Sequence, residues 1–94
     1  MKRDEILEQA KELINGDRKK DYGDAWLNHK RIADYWSNYT DNKISFTPTD
    51  VAVMMMMVKV ARIQNSYTED SFVDICGYSA LAGEMSKVVI DGDK

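Results

Sequence analysis

Thr47-Pro48-Thr49-Asp50, followed by Val51-Ala52-Val53-Met54-Met55-Met56-Met57-Val58-Lys59-Val60-Ala61-Arg62-Ile63-Gln64-Asn65, is the plainest helix in this sequence. Thr47 is placed to cap it, Pro48 takes the first helical position, and Asp50 stands where the acid of a capping box belongs. The segment is apolar almost all the way round from Val51 to Ile63. A helix without a broad polar face is buried on several sides. A chain of 94 residues has little material to cover it, so the segment predicts an oligomer interface that includes this helix.

Three more helices are predicted on either side of it. Ser66-Tyr67-Thr68-Glu69 reads as a second capping box, opening a helix that reaches about Val89. In that helix Cys76, Ser79, Ala80 and Gly83 set small side chains along one stripe, where a neighbouring helix can approach closely. Upstream, Tyr22-Gly23-Asp24 opens a helix that ends near Tyr39, with Asp24 or Asp21 as the N-cap. Its apolar face is Ala25, His29, Ile32, Trp36 and Tyr39, with Trp26 and Ala33 beside it. The first helix spans about Asp4 to Ile14, with Ile6, Ala10, Leu13 and Ile14 in one stripe. Asn15-Gly16 stops it, glycine being suited to a left-handed C-cap. Nothing in the chain alternates like a strand. The expected fold is one all-α domain over residues 1–94, an antiparallel bundle of about four helices completed by oligomerisation.

Composition narrows the function. Thirteen Lys and Arg against sixteen Asp and Glu leave a formal charge of −3, which argues against a surface built to hold nucleic acid. The Met54 to Ala61 run is broken by Lys59 and is too short to span a bilayer. Lys2, Arg3, Asp4 and Glu5, ahead of the first apolar residues, do not read as a secretory signal. The one cysteine, Cys76, excludes an intrachain disulfide and a Cys/His zinc box. These features predict a protein of a reducing cytoplasm. No nucleotide-binding loop, Ser/His/Asp arrangement or metalloprotease helix occurs.

The polar residues inside the last two helices are the main candidates for chemistry. A short turn between these helices makes them antiparallel. With the turn centred near Ser66, Lys59 comes level with Asp74 and Arg62 with Asp70. Read structurally, these are salt bridges that fix the register of the hairpin. Read functionally, Asp70 and Asp74, one turn apart, offer two carboxylates to Mg²⁺ or to ligand hydroxyls, while Lys59 and Arg62 meet phosphate. Tyr22 and Asp24, set by Gly23, and Asn28 are placed at the rim of such a site. The lone His29 shares a face with Ile32 and Trp36 and reads as a packing residue. Arg18-Lys19-Lys20 and Lys30-Arg31 form a local basic patch, solvated surface on one reading and a phosphate-gripping edge on the other.

The order Asn15-Gly16-Asp17-Arg18, Asp21-Tyr22-Gly23-Asp24, Asn28, Arg31-Ile32, Trp36, Asp50-Val51, Met54 to Met56, Lys59, Ala61-Arg62, Asp70-Ser71, Asp74-Ile75, Gly77-Tyr78 and Leu81 resembles an uncharacterised family of short bacteriophage and prophage proteins. The resemblance runs from about residue 6 to residue 85. The Tyr-Gly-Asp helix start also resembles nucleotide-modification-associated domains of phages. More distantly, the last helix resembles the all-α nucleoside triphosphate pyrophosphohydrolases of the MazG type, in which acids on adjacent helices bind Mg²⁺. In that pattern Asp74 matches the final acid, but Ser71 stands three residues before it. Lys59 and Arg62 occupy the helix where an acidic triplet belongs.

What the resemblance and the residues together lead one to expect is a phage protein of the host cytoplasm. It would bind a nucleotide or nucleotide-derived ligand, by sequestration or with Mg²⁺-dependent pyrophosphohydrolysis. Its ligand residues would be Lys59, Arg62, Asp70, Asp74, Tyr22, Asp24 and Asn28, with Asp70 and Asp74 on any metal. The alternative expectation is a non-catalytic accessory protein that binds a host or phage protein through the Met-rich helix.

Overall fold

The structure, a computed structural model, describes residues 1–16 and 25–91. Among these residues there are four helices and no strand: α1 (Arg3–Asn15), α2 (Ala25–Tyr39), α3 (Pro48–Asn65) and α4 (Glu69–Asp91). The all-α expectation holds. The proposed helix start at Tyr22 and Asp24, and the Arg18-Lys19-Lys20 run, lie outside the described residues.

The α3 start forms as the sequence dictates. The Thr47 hydroxyl accepts from the Asp50 N–H at 3.1 Å, and the Asp50 carboxylate accepts from the Thr47 N–H at 2.9 Å. Two otherwise orphaned backbone donors are thereby satisfied reciprocally. Thr47→Ala should cost about 1 kcal/mol, read as a lower urea midpoint with an unchanged slope. An unaltered midpoint would mean that the cap contributes nothing.

Ser66 is the C-cap of α3, its N–H bonded to the Arg62 carbonyl at 3.1 Å. The cap of α4 is therefore Thr68 and not Ser66. The Thr68 hydroxyl accepts from the Ser71 N–H at 3.4 Å and shares a 2.8 Å hydrogen bond with the Ser71 hydroxyl. A serine two residues earlier was already spent on ending the previous helix.

The principal packing partners are α3 with α4, α1 with α4, and α2 with α3. Core side chains are small apart from Met85: Ala10, Ala33, Val51, Ala52, Val73, Ala82 and Met85 are the buried apolar residues among those described. On α2, His29 and Ala33 face inward. Tyr39, expected on the same face, is 91% exposed. The helix ends there, in a turn where Asp41 and Asn42 hold φ of 56° and 61°, the left-handed region that Asp and Asn tolerate better than most. The Asn42 N–H reaches back to the Ser37 carbonyl at 2.9 Å. Ser37 then pins the following loop, because its hydroxyl donates to the Ala33 carbonyl and accepts from the Phe46 N–H, each at 2.8 Å. Phe46 packs edge-on against Trp36.

Two glycine readings need correction. Gly16 ends α1 at φ −99°, outside the left-handed region. Its requirement is space, since a Cβ there would lie 2.5 Å from the Glu12 carbonyl oxygen. The close helix approach also falls elsewhere than on the predicted stripe. Ser79, Ala80 and Gly83 are exposed, and nothing stands within 4 Å of where a Gly83 Cβ would be. Instead α1 docks at Gly77, which is buried, with the Ile14 Cγ2 3.2 Å from the position of a Cβ.

Candidate functional site

The three-residue turn between α3 and α4 brings the predicted ionic residues together. The Lys59 ammonium meets the Asp74 carboxylate at 2.9 Å, and the two side chains keep only 12% and 17% of their exposure. One turn further along each helix, Arg62 and Asp70 are exposed. They form no ion pair with each other within 4.0 Å among the described residues. Arg62, Asp70 and Asp74 nonetheless line one open recess of about 390 Å³, together with Asn65, Ser66, Thr68 and Ser71.

Lys59 is not in that lining. Its ammonium is engaged with Asp74, and Asp74 itself lines the recess. The reason is local: Lys59 lies a full turn deeper along α3 than Arg62, where a long side chain can end on a carboxylate but not in water. The Arg62 guanidinium, near the C-terminal end of its helix, is the cation that faces the recess. Glu69, the other acid in the first turn of α4, is bonded by the amino group of Met1. That hydrogen bond holds the amino group above its ordinary pKa of 8.0 and draws Glu69 to the α1 side.

Asn65, Ser66, Thr68 and Ser71 were not among the predicted site residues. Their signal was available in the turn itself, Asn65-Ser66-Tyr67-Thr68, a polar connection between two apolar helices. Ser71 is 5% exposed, and its hydroxyl is committed to Thr68. Asn28, expected at the rim, is half-buried near the start of α2 and does not line the recess. Tyr22 and Asp24 lie outside the described residues.

His29 behaves as a packing residue. It is 6% exposed, its Nδ1 donates to the Ala25 carbonyl at 2.7 Å, and its ring meets Tyr78 edge-on at 6.4 Å. Lys30 pairs with Asp34 at 2.6 Å on the outer side of α2. With Arg31, Tyr35 and Phe46 they border a second open depression, larger at about 740 Å³, against the 42–46 loop. Among the described residues no three His, Cys, Asp or Glu side chains are grouped to hold a metal ion. No helix among them is long and apolar enough to cross a membrane.

The recess thus offers one guanidinium, two carboxylates, and amide and hydroxyl groups, without a histidine or cysteine among its lining residues. The protein is in that sense a small all-α domain carrying a polar recess at the closed end of a helical hairpin. Residues 5–86 match the family described as Domain of unknown function (DUF6378), and the chain belongs to that family. It is 51% identical over 81 residues to the Gene 55 protein of Mycobacterium phage L5, covering 85% of this chain and 51% of the relative. It is 38% identical over 89 residues to the Gene 55 protein of Mycobacterium phage D29, covering 94% of this chain and 58% of the relative. The chain therefore spans little more than half the length of these phage proteins. No solved structure matches it.

Proposed function

We propose that the recess at the α3–α4 turn binds a small phosphorylated ligand, a nucleotide or nucleotide-derived compound, and that the protein acts on it by sequestration within the host cytoplasm. The observation that carries this reading is the exposed Arg62 guanidinium sharing one open recess with Asp70 and Asp74. Its volume of about 390 Å³ lies within the range of small-molecule sites, roughly 300–1,000 Å³. Arg62 would take the phosphate in a forked pair of hydrogen bonds. Asp70, with its exposed carboxylate, would accept from sugar hydroxyls, and the turn amide and hydroxyls would complete the cage.

Two carboxylates, one of them already held by Lys59, fit a Mg²⁺ ion that arrives with the ligand's phosphates and keeps most of its waters. They do not make a protein-held metal centre, and hydrolysis forms no part of the proposal. The assembly in this reading is a homo-oligomer. A second reading, a protein-binding accessory factor, draws on the exposure of Val53, Met57, Val58 and Val60 along α3.

Melting curves with AMP, ADP, ATP, deoxy-ATP and pyrophosphate, each with and without Mg²⁺, test the ligand proposal. A compound at ten times its Kd adds about 1.4 kcal/mol, or roughly 6–11 °C for a domain of this size. Arg62→Ala should remove that rise while leaving the ligand-free melting temperature within about 0.5 kcal/mol of the original, since the side chain is exposed. If no compound raises the melting temperature at millimolar concentration, the ligand proposal fails and the protein-binding reading takes its place.

A further inference from the structure

The single chain closes little core around its most apolar helix: the largest fully buried side chain among the described residues is a valine, Val51. A domain of this size buries a modest share of its surface by itself, and an interface between copies covers more.

The outer face of α3 shows where such an interface belongs. Asp50, Val53, Met57, Val60 and Gln64 fall alternately three and four residues apart, which is the seam of a coiled coil. All five are exposed in the single chain, Val53 by 37%, Met57 by 62% and Val60 by 47%. The centre of the seam is apolar and its ends are polar, with Asp50 and Gln64 each seven residues from Met57.

We infer that this face packs against the same face of a second copy, antiparallel, with the two-fold axis at Met57. The polar ends of the seam select both the occupant and the direction. Antiparallel helices set the Gln64 amide of one copy beside the Asp50 carboxylate of the other. Asp50 uses Oδ2 on the Thr47 N–H, which leaves Oδ1 to accept from that amide. A parallel pair would instead set Asp50 against Asp50. A self-complementary seam of this kind needs no other protein to satisfy it. The recess is lined from Arg62 and Asn65 at the end of α3, from the turn and from α4; Arg62 is five residues from Met57, about 140° around the helix from the seam, so the recess stays open in the dimer. The inference gives the homo-oligomer of the proposed function its face. Its test reads mass, whereas the ligand test reads melting temperature, so either can fail alone.

Sedimentation equilibrium of the whole chain, from micromolar to millimolar concentration, should give twice the 10.8 kDa chain mass. Met57→Glu should return the single-chain mass with its helical circular dichroism retained. Gln64→Glu should weaken the dimer about tenfold and Gln64→Lys should tighten it, because each faces Asp50 of the other copy. Gln64 is exposed, so these two variants test the seam even if Met57→Glu fails to fold. In a Cys76→Ala background, Met57→Cys should oxidise to a covalent dimer, since the two sulfurs meet at the axis. A single-chain mass throughout the range overturns the inference. So does a Met57→Glu protein that folds and keeps the double mass, or a pair of Gln64 variants that shift the equilibrium in the same direction.

Discussion

Asp74→Ala should cost the domain roughly 3 kcal/mol, the lower end of what breaking a buried ion pair costs. The substitution strands the Lys59 ammonium, which has lost all but 12% of its exposure and whose one salt-bridge partner among the described residues is Asp74, at 2.9 Å. The lower end applies because neither side chain has left water completely. A domain of this size has a total stability of about 5–14 kcal/mol, so the loss should move the urea midpoint far down and leave part of the chain unfolded at 37 °C. Replacing both partners by Lys59→Met and Asp74→Leu should recover most of that stability, since an apolar pair of similar volume carries no stranded charge. The double variant also separates the two roles of Asp74. Its fold should survive while the ligand-induced rise in melting temperature falls, because the recess has lost a wall carboxylate. A cost below about 1 kcal/mol for Asp74→Ala would put the pair at the level of a surface bridge and end its role as the register lock of the hairpin.

The second large effect is expected at Ala33. It is completely buried on α2, and the helix it packs against begins its core face with Val51 and Ala52, both also at 0% exposure. A position fully covered at alanine size leaves no space for a longer branched side chain. Ala33→Leu should therefore cost about 2–3 kcal/mol through overpacking. Losing α2 from the face of α3 would also free the loop that Ser37 holds at Phe46. Urea unfolding followed separately by tryptophan fluorescence and by far-UV dichroism reads both effects, because Trp36 reports on α2 and the dichroism on all helices. A variant as stable as the parent would mean that α2 does not lie on α3 as described.

Much of the fold was legible because its signals are local. Thr47, Pro48 and Asp50 fix the start of α3 through backbone chemistry that no distant residue can alter. The shortness of the α3–α4 connection then makes the level of Lys59 with Asp74 a matter of counting. What failed to read correctly is the rotation of each helix about its own axis. Both α3 and α4 are apolar around most of their circumference, so periodicity gives α4 no inward side to choose. The stripe of small residues through Gly83 stays exposed, and α1 docks at Gly77 instead. The partner that decides this, Ile14, is remote in sequence. Tyr39 was misplaced because it is the last residue of α2, where the chain turns away through Asp41 and Asn42. In the site, Arg62, Asp70 and Asp74 were found by counting along the hairpin, whereas Asn65 was read only as the end of α3, and Ser66 and Thr68 only as parts of a capping box. Asn28 shows the limit of counting: it has no short connection to α4 that would set its height.

The docking of Ile14 at Gly77 also sets an order of events as the chain folds. The hairpin joins residues close in sequence, so its closure sacrifices little chain entropy, whereas α1 must be recruited from the opposite end of the polypeptide. The notch on α4 is therefore built before its occupant arrives. Until α1 seats, α4 shows water a groove floored by glycine, and this is the surface through which an early hairpin would stick to its neighbours.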